Sequence, residues 1–199
     1  MTKLDRQKVI DTALELLNEV GMDSLTTRKL AERLNVQQPA LYWHFPNKRA
    51  LLDSLAAAML TKQHVRSLPY EGEDWRVYLR ENAQSFRRAL LSYRDGARIH
   101  AGTRPTEPNF STAEAQIRFL CQAGFSPKHA VWALSTIGYY VVGSVLEQQV
   151  FDTDAKVVSD AGQDLSPFSR ELFYELENYD MDAAFNFGLD SIISGFEKV

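Results

Sequence analysis

The chain has almost no cysteine. Cys121 stands alone among 199 residues, which excludes an intrachain disulfide and, with no neighbouring Cys or His motif, leaves a small core hydrophobe as its expected role. A leader segment is not expected either: Met-Thr-Lys-Leu-Asp-Arg-Gln-Lys carries charges where a signal or transit peptide needs an apolar or acid-poor run,. Both absences direct the expectation to a reducing cytoplasm. No run of alternating β-branched residues with hairpin turns occurs and no internal repeat stands out,. His64, His100 and Glu147 have no helical metal spacing such as His-x-x-x-His, and no nucleophile motif accompanies them,. A hydrolytic metal site is thereby set aside, and the chain is not expected to be an enzyme.

What is there suffices for a core: 45% of residues are apolar and 24% charged, unlike a disordered chain. The formal net charge of -4 argues by itself against nucleic acid, but it is unevenly spread,. Residues 24–50 hold Arg28, Lys29, Arg33, Lys48 and Arg49 against Glu32 alone, five minus one or +4, which leaves -8 for the rest. A small basic end on an acidic body attracts phosphate locally; a solvated helix face would show the same count, so charge alone decides neither way.

Apolar residues recur at intervals of three and four, which predicts an all-α fold. A first helix is expected over about Leu4 to Val20, with Val9, Ala13, Leu16, Leu17 and Val20 on one face and Gly21 as its stop,. Thr26 or Thr27 caps a short helix that runs to Leu34, Asn35-Val36-Gln37 turns, and Gln38-Pro39 opens another,. Pro46-Asn47 recaps the chain for a connecting helix, Lys48 to about Gln63. A break from Ser67 to Glu73 completes a division into a head (1–47), a connecting helix (48–66) and a body (67–199). Body helices are expected at Trp75–Leu91, Thr112–Gln122, Pro127 to about Gln149, and Met181–Phe196. Arg94 to Pro105 holds too many glycines for a robust helix and is expected to form a strained turn or two that can move.

The Pro127 helix is apolar all round from Ala130 to Leu146. At seventeen residues, without positive flanks or a second apolar segment, it is read as buried from all sides and not as a membrane span. With the last helix, where Gly188 and Gly195 permit close approach, it is expected to build a four-helix interface across a two-fold axis, making a homodimer. Phe151 to Asp164, polar and aperiodic, is expected to be a surface loop.

Leu25 to Phe45 has the layout of a helix-turn-helix. Leu30, Ala31, Leu34, Val36 and Leu41 face inward in this reading, leaving Arg28, Gln38, Pro39, Ala40, Tyr42, His44 and Lys48 for a partner. The set suits double-stranded DNA: arginine pairs with guanine, glutamine with adenine, and proline or an aromatic ring touches thymine methyls. Thr27, Tyr42 and Lys48 suit phosphates. This segment, followed by Leu-Tyr-Trp-His-Phe-Pro-Asn-Lys-Arg-Ala-Leu-Leu, closely resembles the DNA-binding domain of the tetracycline-repressor family. The resemblance implies that the second short helix enters the major groove of a palindromic operator, with Arg28, Gln38, Pro39 and Tyr42 reading bases and Thr27, His44 and Lys48 holding the backbone. Ala40 stands where many relatives have threonine, so a methyl contact survives and a hydroxyl contact does not.

The resemblance continues through nearly the whole chain. His64, Asn82, Phe86, His100, Thr103, Arg104, Pro105, Gln116 and Glu147 occupy positions that, by resemblance, bind a magnesium-chelated tetracycline. In that reading His100 binds the ion directly, while Thr103 and the partner subunit's Glu147 hold coordinated waters. Magnesium prefers oxygen ligands and keeps its waters, so a chelating keto-enolate would complete the shell. As chemistry, His64, Asn82 and Gln116 can fix a polyoxygenated edge, and Phe86, Pro105, Val131 and Leu134 can wall an apolar slot. Ligand binding would reshape the stretch around His100, displace the connecting helix and spread the heads, releasing the operator and derepressing a drug-efflux gene.

Overall fold

Asp5 accepts the Gln7 N–H and starts the first helix, α1 (Arg6–Ser24). Its regular turns stop at Gly21, whose φ of +74° is one that side chains rarely adopt,, and one further turn reaches Ser24. Thr26, the first of the two candidate caps, accepts the Lys29 N–H at 3.2 Å and opens α2 (Thr27–Leu34),. Asn35, left-handed at φ 53°, closes it. Pro39 begins the single turn of α3 (Pro39–Tyr42), and Asn47 accepts the Ala50 N–H at 2.9 Å to begin α4 (Lys48–Gln63).

These four helices close around one apolar cluster. Val9, Ala13 and Leu17 from α1, Leu30 from α2 and Leu55 and Met59 from α4 are wholly buried, with Leu41 of α3 at 2% exposure. Burying each such leucine contributes about 1.5–3 kcal/mol. Leu34 and Val36 pack against the same cluster at partial exposure. The next residue along α4, Leu60, belongs to a second cluster, so this helix joins two cores.

The second core is built from α5 (Trp75–Leu91), α6 (Gly96–His100), α7 (Asn109–Gln122), α8 (Pro127–Asp154) and α10 (Met181–Phe196), with α9 (Pro167–Glu177) outside it. The computed structural model describes residues 4–101, 103, 109–154 and 166–197, and among them every regular element is a helix. Tyr78, Leu79, Ala83 and Leu90 of α5 meet Leu120 of α7, Ile137, Val141 and Val145 of α8, and Phe185, Leu189 and Ile193 of α10. Gly188 is required where α10 crosses α8, since a Cβ there would lie 2.2 Å from the Tyr140 hydroxyl oxygen. That hydroxyl donates to the Phe185 carbonyl at 3.0 Å. Gly195, expected to serve the same end, faces open space.

Four expectations change. Helix α7 starts at Asn109 instead of Thr112, and α8 continues to Asp154, so the loop expected from Phe151 begins as helix; the rest of that loop lies outside the described residues. Helix α9 was not expected, although its Ser166-Pro167 start repeats the Ser126-Pro127 signal of α8. Burial of α8 from all sides is not met within one chain. Ala130, Ala133, Ile137, Val141 and Val145 are buried, whereas Val131, Trp132 and Tyr139 are exposed. By length and composition alone, Pro127–Val150 is long and apolar enough to cross a membrane, with 28% of its apolar window buried.

Candidate functional site

The outer surface of the head is set by what its core takes. Leu41 is drawn inward, which turns Pro39 and Tyr42 outward and leaves Ala40 half-buried. Arg28, also exposed, donates from Nε to Glu32 Oε1 at 3.0 Å, with the two side chains 83% and 62% exposed. Such a pair is worth little and is readily exchanged for another acceptor. Gln38 Nε2 donates to Thr27 Oγ1 at 2.8 Å and to the Tyr42 hydroxyl at 3.3 Å. Three of the residues expected at DNA therefore form one hydrogen-bonded cluster before any partner arrives. His44 is half-buried beside Phe45, and Lys48 is exposed in the first turn of α4. Trp43, which sequence reasoning passed over, is 89% exposed directly after Tyr42; an aromatic doublet at the end of a reading helix was the available signal.

In the body, His64 caps the C-terminus of α4 and meets α5. Its Nδ1 lies 3.0 Å from Ser85 Oγ and its Nε2 3.4 Å from Asn82 Nδ2. The Phe86 ring joins two imidazoles, its centroid 5.7 Å from that of His64 and 5.0 Å, edge-on, from that of His100. Thr103 Oγ1 donates to the His100 carbonyl at 2.7 Å. His64, Asn82, Phe86, His100 and Thr103 thus come together at the junction of α4, α5 and α6.

Asn82 and Gln116 have a task that the sequence did not disclose. Asn82 Nδ2 donates to the Arg66 carbonyl at 2.8 Å, and Gln116 Nε2 to the Ser67 carbonyl at 2.7 Å. They pin the segment after His64. Leu134 packs at partial exposure against the second core, and Val131, expected with it on a slot wall, is 44% exposed. Arg104 and Pro105 lie outside the described residues.

Burial pulls the His64 imidazole down to about 4, with the Arg88 and His100 charges acting in the same direction. Burial also lowers His100 below its ordinary value. Both rings are neutral at neutral pH, and His100 Nδ1 is buried with no hydrogen-bond partner among the described residues. Among the described residues no three His, Cys, Asp or Glu side chains converge as a metal site. Glu147 is exposed and lines a cleft of about 600 Å³ with Tyr140, Ser144, Tyr179 and Phe185. A second cleft, of about 690 Å³, lies between Val20–Ser24 of the head and Tyr93–Arg98 of the body. Neither cleft is lined by His64, Phe86 or His100.

Helix α6 straddles both cores: Ala97 belongs to that of the body and Ile99 to that of the head. Gly96 is obligatory because a Cβ there would lie 2.1 Å from the Leu90 carbonyl oxygen. Asp95, left-handed at φ 58°, accepts the Met22 N–H at 2.8 Å, and Arg98 pairs with Asp23 at 2.9 Å. Arg94 N–H donates to Asn18 Oδ1 at 2.9 Å. The five-residue helix that ends in His100 is therefore bonded to the end of α1.

Residues 9–55 match the profile of bacterial regulatory proteins of the tetR family, and residues 68–199 match that of the tetracyclin repressor-like C-terminal domain. The chain is 71% identical to tetracycline repressor protein class G of Vibrio anguillarum, over all of this chain and 96% of that protein. Its fold superposes on TetR from Acinetobacter baumannii AYE with a TM-score of 0.83 at 69% identity, covering 98% of each chain. TetR of class A in complex with 5a,6-anhydrotetracycline and magnesium matches with a TM-score of 0.78 at 53% identity, covering 98% of this chain and 99% of that one. A head of helix, turn and short exposed helix, a helical body and relatives named as repressors lead to one conclusion: the chain belongs to the tetR family of bacterial regulatory proteins and is a transcriptional regulator, not an enzyme.

Proposed function

We propose that this chain is a tetracycline-responsive repressor, which binds a palindromic operator as a homodimer, releases it when a magnesium-tetracycline complex binds, and so derepresses a resistance efflux gene. The observation that carries the reading is His100: a neutral imidazole with a buried nitrogen that has no partner among the described residues, on the helix bonded to the end of α1. The donor set fits magnesium only as a guest that brings its own oxygens. One imidazole nitrogen and a threonine hydroxyl cannot complete an octahedral shell, and no third protein ligand is at hand among the described residues. The bound ion would supply a positive anchor joining the keto-enolate edge to His100, with waters held by Thr103 and the partner subunit's Glu147.

The chain's own residues do the rest. His64, Asn82 and Gln116 orient the polar edge, Phe86 and Leu134 exclude water along an apolar side, and Arg104, Pro105 and Val131 complete the slot. A push on His100 reaches the head by two routes. Ile99 shares a core with Leu55 and Met59 of α4, and Asp95 and Arg98 hold the α1 end. We assign residues 1–47 to reading, 48–66 to transmission and 67–199 to sensing and dimerisation. On DNA, Arg28, Gln38, Pro39, Ala40 and Tyr42 face bases while Thr27, His44 and Lys48 hold phosphates; a dimer sets the two reading helices one turn apart, roughly 34–36 Å. Near-complete release needs the ligand to favour the spread state by about 5.5 kcal/mol. The partner copy covers the exposed face of α8, and the protein acts in the cytoplasm.

A gel-shift titration with a palindromic tet-type operator tests this reading, adding tetracycline with magnesium and then tetracycline with a chelator. Release only with magnesium is the expected result. Retention of the operator despite drug and metal would discard the ligand.

A further inference from the structure

Ser85 lies in α5, wholly buried, and its hydroxyl is used differently from others in this fold. Ser54, Thr61, Ser92 and Ser191 each donate to the carbonyl four residues back, at 2.9, 3.0, 2.7 and 2.8 Å. Ser85 is diverted: its Oγ accepts the Arg66 N–H at 3.1 Å and stands 3.0 Å from His64 Nδ1. A hydroxyl carries one hydrogen, and a buried donor needs an acceptor. Arg66 N–H is a donor, so the acceptor at hand is His64 Nδ1. With Nδ1 accepting, the ring proton sits on Nε2. Asn82 Nδ2, 3.4 Å from that nitrogen, is itself a donor: one of its hydrogens goes to the Arg66 carbonyl at 2.8 Å, and the other has the Tyr78 hydroxyl oxygen as acceptor at 3.4 Å, that hydroxyl donating in turn to the Ser67 carbonyl. It gives the Nε2 hydrogen no acceptor, and turning the amide over would set its oxygen against that carbonyl.

We infer that Ser85 is a positioning residue, which fixes His64 as the Nε2–H tautomer and so makes His64 a hydrogen-bond donor to an anionic oxygen of the ligand, of the enolate class. The inference deepens the proposed function and rests on it for the ligand, though not for the tautomer. Burial keeps His64 neutral at neutral pH, so the imidazolium form does not supply the donor; the tautomer must. A neutral ring with its proton on Nδ1 would instead present a lone pair to the enolate and repel it. Ser85 thereby acts on ligand choice without touching the ligand, in the way that outer partners fix histidine tautomers elsewhere.

Two measurements on the full-length protein test it. Nitrogen-15 NMR of histidine-labelled protein without drug reads the His64 tautomer directly. The wild type is expected to show a protonated Nε2 and an unprotonated Nδ1, and Ser85→Ala to shift the population towards the Nδ1–H form. Calorimetry with tetracycline and magnesium is then expected to show affinity about tenfold weaker for Ser85→Ala, the size of one lost hydrogen bond to a charged group. A wild-type ring protonated on Nδ1 overturns the inference even if the variant fails to fold. An unshifted tautomer in Ser85→Ala alongside weaker binding also overturns it, marking Ser85 as packing only. Absence of drug binding by the wild type with the expected tautomer overturns the proposed ligand and the role assigned to Ser85 toward it, while leaving the tautomer assignment standing.

Discussion

The head and the body solve burial differently. In α1–α4 the apolar side chains close on one another, and the exposed aromatics, Tyr42 and Trp43, cluster at the end of α3. In the body, α8 and α10 bury one side and leave Val131, Trp132, Tyr139 and Phe187 exposed, while α9 buries none of its residues. Large exposed apolar surface on a folded chain marks an interaction face. The head thus closes its apolar side chains on one another within one chain, and the body leaves an apolar face open. Under the proposed function this asymmetry suits a switch, in which a reading head stays rigid while an assembling and sensing body alters its position.

If the head is the self-contained unit, Leu55→Ala should cost about 2–5 kcal/mol by urea unfolding, because the truncation leaves a cavity where α1, α2 and α4 meet. A cost below about 1 kcal/mol would mean that the head's core is looser than described. The body's open face predicts a different failure. Phe187→Glu, at a position 77% exposed, should leave each chain folded yet weaken self-association by about 2 kcal/mol or more in sedimentation equilibrium. Unchanged association would move the interface away from α10.

The buried imidazoles give the body a pH signature. His64 titrates near 4 when folded against an ordinary 6.5, so between those values the unfolded chain takes up a proton that the folded chain refuses. Stability is complete above about pH 6.5, falls as pH drops through that window and levels off below about 4, with a loss of up to about 3 kcal/mol. His100, also lowered by burial, acts in the same direction. Melting curves of His64→Asn should show a flatter slope; an identical slope would assign the window to other groups.

Within the head, Arg28→Ala should cost about 1–3 kcal/mol and relax preference at one operator base, while Lys48→Ala weakens all sequences alike. Operator-variant titrations separate the two, and uniform loss from both would end the division between reading and holding.

The fold class and most helix limits were legible because capping and breaking are local chemistry. Asp5, Thr26, Asn47 and Asp74 each accept an N–H from the turn that follows them, and Gly21 stops α1 by its own φ. The outward-facing residues of the head were legible for a related reason, since burial of Leu30 and Leu41 dictates which neighbours point outward. Less of the sensing corner was visible. His64 and His100 are thirty-six positions apart in sequence, and only the packing of α4, α5 and α6 sets both against Phe86.

By itself, then, the sequence determined the helical fold class, most helix limits and which stripe of the head helices is apolar, because these follow from interactions spanning a few residues. Tertiary structure alone decided that Asn82 and Gln116 hold backbone carbonyls, that Ser85 faces an imidazole and that α6 belongs to two cores. Those outcomes depend on which helices approach and how closely, a balance of burial and hydrogen bonding summed over distant segments.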